Sequence, residues 1–109
     1  DMGRFFGRVI KAWKQDAKVA IFGSGGLTHF TIDEDFDRSL CQALIHGDEK
    51  FLCSVPQTTL MQGTSEIRNW IAAAGALSGT GLRGSMIDYV PCYRTEAGTG
   101  TAQGFMVWH

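Results

Sequence analysis

Two residues in this chain have the type and the setting for chemistry, His29 and Glu66. His29 follows Gly23-Ser24-Gly25-Gly26-Leu27-Thr28, a glycine-rich break at the end of an apolar run over residues 18–22. An imidazole leaving such a turn can reach a ligand, and its titration range suits general acid–base work near neutral pH. The plainer reading is a neutral loop histidine bonded to nearby backbone. Glu66 falls in the first turn of a helix expected to begin at Thr64, where free N–H groups and the helix dipole stabilise a carboxylate without any metal. On spacing alone it reads as a cap. His46 stands at a helix end before Gly47, where a cation favours the dipole, and reads as structural. His109 closes the sequence and carries no reading.

Other chemistries fit the glycine run less well. A dinucleotide fingerprint wants a third glycine where Thr28 stands, and a phosphate loop wants Gly-Lys-Ser/Thr. The next helix opens with Asp33, Glu34 and Asp35, which repel phosphate. A nucleophile elbow around Ser24 would need glycine at Phe22.

The elements that must position these residues follow from pattern. Phe5, Phe6, Val9, Ile10 and Trp13 recur at helical spacing opposite Arg4, Arg8, Lys11 and Lys14, which predicts a helix near residues 3–16 with its aromatic stripe inward. Residues 18–22 are expected as a short buried strand of a sheet covered on both faces, with His29 at its carboxyl edge, where open α/β sheets bind ligands. An acid-fronted helix follows and stops at Gly47. Ile67, Trp70, Ile71, Ala74 and Leu77 mark a buried-face helix, with Asn69 and Arg68 as ordinary surface positions. Residues 86–90 and 104–108 read as strands, joined by a Gly/Thr-rich loop over residues 94–101. The pattern predicts an α/β fold.

With 109 residues the chain makes one modest domain. A net charge of −1 with scattered basic residues gives no nucleic-acid footprint and no attraction to an anionic membrane. No run reaches the roughly 20 apolar residues of a membrane span, and no leader pattern opens the sequence, so a soluble cytoplasmic protein is expected. Cys41, Cys53 and Cys92 are odd in number and widely spaced, which argues against a disulfide framework or zinc knuckle and predicts buried reduced thiols. Opening at Asp1, almost directly in a helix, the sequence reads as a fragment.

Taken together, residues 19–29 and 63–77 resemble class III extradiol ring-cleavage dioxygenases, the LigB-type superfamily that includes the β subunit of protocatechuate 4,5-dioxygenase. The first stretch is similar to that family's strand, glycine turn and catalytic histidine, and the second to its helix bearing a glutamate ligand of iron. The segment over residues 93–108, with Thr99-Gly100-Thr101, is similar to a loop and strand beside the substrate pocket. The resemblance covers nearly all of this chain and only the C-terminal part of a family member. It implies a mixed sheet flanked by helices, with residues 1–109 as part of a catalytic domain. It further implies Glu66 as the carboxylate of a two-histidine, one-carboxylate Fe(II) site, His29 as the acid/base, and Thr99, Gly100 and Thr101 lining the pocket. The substrates would be a catecholic diol such as protocatechuate or gallate, and O2.

The two histidine ligands of that family belong to its N-terminal part, and His46 and His109 offer no convincing pair. The expectation is that this polypeptide alone lacks tight iron binding and turnover. It would depend on the missing part or another subunit, and would self-associate. The alternative from another class is a non-catalytic accessory or interaction domain that keeps the fold.

Overall fold

A computed structural model describes all 109 residues. Four α-helices and three strands follow in the order α1 (Met2–Ala12), β1 (His29–Thr31), α2 (Glu34–His46), α3 (Glu49–Ser54), α4 (Ile67–Leu77), β2 (Gly84–Tyr93) and β3 (Thr99–Trp108), with a 3-10 turn at Gln62–Glu66 leading into α4. The protein is α/β. No helix is long and apolar enough to cross a membrane.

The sheet has the order β1-β3-β2, antiparallel throughout. The long hairpin β2–β3 carries it, with a bulge between Met86 and Asp88. Three-residue β1 adds to the other edge of β3, pairing His29 with Thr101, Phe30 with Gly100 and Thr31 with Thr99. Alternation along β3 sends Ala102 inward and leaves Phe105 and Val107 exposed, as expected of a sheet with one face covered. The covered face meets a core of Leu27, Leu40, Leu44, Leu60, Ile67 and Trp70, with Met86, Tyr89, Met106 and Trp108 packed against it.

The acid-fronted helix forms as its sequence predicts. The Asp33 side chain accepts from the Phe36 N–H at 3.0 Å, and Gly47 closes α2 in the left-handed conformation, with φ of 64°. Asp48 caps α3 in the same way, accepting from the Phe51 N–H at 3.0 Å.

Several expectations are corrected. Residues 18–22 form no strand: the segment is irregular, and Phe22 is 89% exposed. An apolar run becomes a strand only by pairing, and no strand of the chain lies beside this one. Thr99, Gly100 and Thr101 lie in β3 rather than in a loop, which shrinks to residues 94–98. Of the cysteines only Cys41 is buried, its thiol pushed up to about 11 chiefly by burial, while Cys53 and Cys92 are exposed.

The largest correction concerns α1. It ends at Ala12 and turns its aromatic stripe outward, with Phe5, Phe6, Val9 and Trp13 each 49–56% exposed. It packs on α4 through its glycines instead. A methyl group at Gly3 would strike the Ala72 carbonyl oxygen, and one at Gly7 would lie 2.5 Å from that of Ala76. Two small residues four apart give a flat strip, so the backbones approach more closely than aromatic side chains would permit.

Candidate functional site

The glycine loop is gripped by the start of α4. Glu66 Oε2 accepts from the Gly26 N–H at 2.7 Å, Asn69 Nδ2 donates to the Ser24 carbonyl at 2.7 Å, and the Trp70 indole N–H donates to the Gly25 carbonyl at 3.0 Å. Three consecutive loop residues are thus held by positions i, i+3 and i+4 of one helical face. Gly25 permits this because its φ is 131°, and a Cβ there would sit 2.5 Å from that of Glu66. Asn69 and Trp70 were therefore more than surface and core residues. Their shared face with Glu66 was the signal in the sequence.

The Glu66 carboxylate is not a cap, since no side-chain capping bond closes the N-terminus of α4. Thr64 is not one either. It lies in the 3-10 turn, and its hydroxyl oxygen accepts from the His29 N–H at 3.0 Å. Both polar groups reach across the chain to the loop, so the helix start serves as a clamp.

His29 and Glu66 face one another, with Nε2 to Oε2 at 3.4 Å and side chains 17% and 45% exposed. The other ring nitrogen, Nδ1, lies 2.8 Å from the Leu27 carbonyl oxygen. A carbonyl only accepts, so the proton sits on Nδ1 and leaves the Nε2 lone pair toward Glu66 when the ring is neutral. Gly63 backs the ring closely: a Cβ there would lie 2.5 Å from the His29 Cβ. This gives one orientation of the imidazole, with Nε2 as the atom that can take or give a proton.

The remaining expected residues divide. Thr101 stands directly opposite His29 in the β1–β3 register, so the two share a face of the sheet. Thr99 lies two residues further on the same face, and Gly100 points inward, where a Cβ would meet the Cys92 carbonyl. Two surface clefts lie elsewhere, one between α1 and the end of α4 lined by Arg8, Lys11, Ser78 and Thr80, the other at the hairpin turn around Arg94 and Glu96.

Asp37, two residues beyond the acids that open α2, was not singled out from the sequence. It is fully buried and accepts from the Thr28 N–H at 3.0 Å, the Thr28 hydroxyl at 2.7 Å and the Tyr89 hydroxyl at 2.8 Å. Burial raises its carboxyl above the ordinary value, against these hydrogen bonds. Burial first, and then Asp37, raises the Tyr89 phenol. Nothing in a single sequence separates such an acid from its exposed neighbours.

A family model described as the catalytic LigB subunit of aromatic ring-opening dioxygenase matches residues 1–100. This chain belongs to that family. Neither a curated protein nor a solved structure matches it. LigB membership carries a ring-opening dioxygenase-type function in general, and dioxygenases of this family are generally metal-dependent. The donor set here does not fit a complete metal centre: no group of three or more His, Cys, Asp or Glu side chains comes together. Glu66 has only His29 beside it, where a facial site needs three ligands.

Proposed function

We propose that this chain is the C-terminal part of an extradiol ring-cleavage dioxygenase acting on a catecholic substrate of the protocatechuate or gallate type. His29 is its acid/base, and Glu66 is the single carboxylate this chain offers to Fe(II). The observation that carries the reading is the 3.4 Å approach of His29 Nε2 to Glu66 Oε2 on a loop fixed by side-chain and main-chain bonds. Among these is the Leu27 N–H to the Ala102 carbonyl at 2.9 Å.

Glu66, with two further histidines from outside this chain, would hold ferrous iron, which would supply the redox chemistry of ring opening. This chain's own part is narrower. His29 presents the Nε2 lone pair on its Glu66 side and receives a proton there from a substrate hydroxyl, while the Leu27 carbonyl holds the Nδ1 proton. The Glu66 carboxylate lies 3.4 Å from that nitrogen and fixes the side from which it is approached. Thr101, opposite His29 in the register, lines the approach with Thr99, and Gly100 keeps the strand close-packed beneath them.

The test has two arms. Fe(II) titration and oxygen uptake on protocatechuate or gallate are expected to show neither tight binding nor turnover for the isolated chain. Joined to the polypeptide that supplies the two histidines, it is expected to turn over, and His29→Ala and Glu66→Ala each to abolish uptake. Turnover by the isolated residues 1–109 would overturn the division of ligands.

One observation favours a second reading, a non-catalytic interaction domain that keeps the fold: the outward aromatic stripe of α1. Self-association is the expected behaviour under either reading, and light scattering showing a clean monomer would count against it.

A further inference from the structure

We propose that Asp37 is a positioning residue for His29, acting through the single peptide group that joins Leu27 to Thr28. The N–H of that peptide donates to Asp37 Oδ1 at 3.0 Å, and its carbonyl oxygen accepts the His29 Nδ1 proton at 2.8 Å. The two groups of one trans peptide point in opposite directions, so Asp37 lies behind the loop and His29 in front of it. A carboxylate bonded to the N–H polarises the peptide and strengthens its carbonyl as an acceptor. The arrangement does for His29 what a directly bonded carboxylate does for a catalytic imidazole, with a peptide group interposed.

The surroundings of Asp37 make sense on this view. Oδ2 takes the Thr28 hydroxyl at 2.7 Å and the Tyr89 hydroxyl at 2.8 Å, so each of its hydrogen-bond partners is a donor and a carboxylate can accept from all of them. The Thr28 hydroxyl oxygen accepts in turn from the Asp33 N–H at 3.0 Å, which aims its proton at Asp37. The Arg38 guanidinium sits 5.0 Å over the Tyr89 ring and steadies that donor. The Thr28 carbonyl accepts from the Ala102 N–H at 2.9 Å. Thr28 is therefore fixed at its N–H, hydroxyl and carbonyl, and the peptide plane cannot turn unless Asp37 lets go. Burying an acid this way is costly, and a helix needing only an N-terminal charge could have kept it in water.

Only the functional weight of this inference rests on reading His29 as the acid/base; the geometry it asserts is tested without turnover. Nitrogen-15 NMR of the His29 ring in the full 109-residue chain, at one pH where the ring is neutral, is expected to show the Nδ1–H tautomer alone. In Asp37→Asn the expected result is a mixture of tautomers. Leu60→Ala removes core packing without removing any hydrogen bond to Asp37 or His29, and is expected to lower the melting temperature while leaving the single tautomer intact. An unchanged ring in folded Asp37→Asn, or an equal change in Leu60→Ala, would overturn the proposal. If Asp37→Asn does not fold, Tyr89→Phe decides: loss of one donor on Oδ2 should shift the ring resonances in the direction of the mixture, and identical resonances would sink it. Loss of the acid/base reading would appear separately, as oxygen uptake by the assembled enzyme that survives His29→Ala.

Discussion

The two ends of α4 are held by opposite means. Its first turn meets the glycine loop through directed hydrogen bonds from Glu66, Asn69 and Trp70. Its later turns meet α1 through bare backbone, with Gly3 against Ala72 and Gly75, and Gly7 against Ala76. Directed bonds fix distances and angles, so they suit the end that places an imidazole. Glycine packing fixes only separation, and leaves the aromatic side of α1 uncommitted. A region built for geometry and a region built for contact thus share one eleven-residue helix.

The comparison breaks first at Asp37. Asp37→Ala strands two hydroxyls and a peptide N–H in the interior, and is expected to cost about 3–5 kcal/mol by denaturant unfolding. A loss below about 1 kcal/mol would mean that the site end is not held by this network. The same residue gives a pH signature. Its folded-state carboxyl is raised above the ordinary 3.8 by burial. Stability from the group is therefore complete below that ordinary value and falls as pH rises through the raised one. From neutral pH toward acid, the wild-type chain is expected to lose less unfolding free energy than Asp37→Asn, and equal losses would contradict the raised carboxyl.

Next in size is Gly7→Leu, which pushes α1 off α4 and is expected to cost about 1–3 kcal/mol while the His29 and Gly26 amide resonances stay in place. Movement of those amides would show that the two ends are coupled. Trp70→Phe keeps the ring packing and loses the bond to the Gly25 carbonyl, an expected loss of about 1 kcal/mol together with faster hydrogen exchange at Gly26. The smallest effect sharpens the other side. Phe6→Ser is expected to change unfolding free energy by less than about 0.5 kcal/mol, because the side chain is half exposed, yet to reduce self-association by light scattering.

What the sequence revealed divides along the same line. Features written in adjacent residues were legible: the acids fronting α2, its Gly47 stop, the apolar spacing of α4 and the two strands of the hairpin. The loop histidine and the helix glutamate were legible as types, and Nε2 and Oε2 do face each other at 3.4 Å. Features that depend on a partner were not. The run over residues 18–22 has strand composition but no strand beside it, and the α1 pattern announces an apolar face without saying which body meets it. The i, i+4 glycines at positions 3 and 7 were the available hint. Thr64 looked like a cap because capping and cross-chain acceptance use the same hydroxyl. Asp37 looked like its neighbours because burial is a property of the fold.

Ala102 gives the central strand an outsized responsibility. Its carbonyl takes the Leu27 N–H and its own N–H meets the Thr28 carbonyl, while its methyl is wholly enclosed beneath them. The height of the imidazole above the sheet is therefore gauged by a residue with no polar side chain. Enlarging that methyl would act like a shim under the loop, tilting the ring through Leu27 and Thr28.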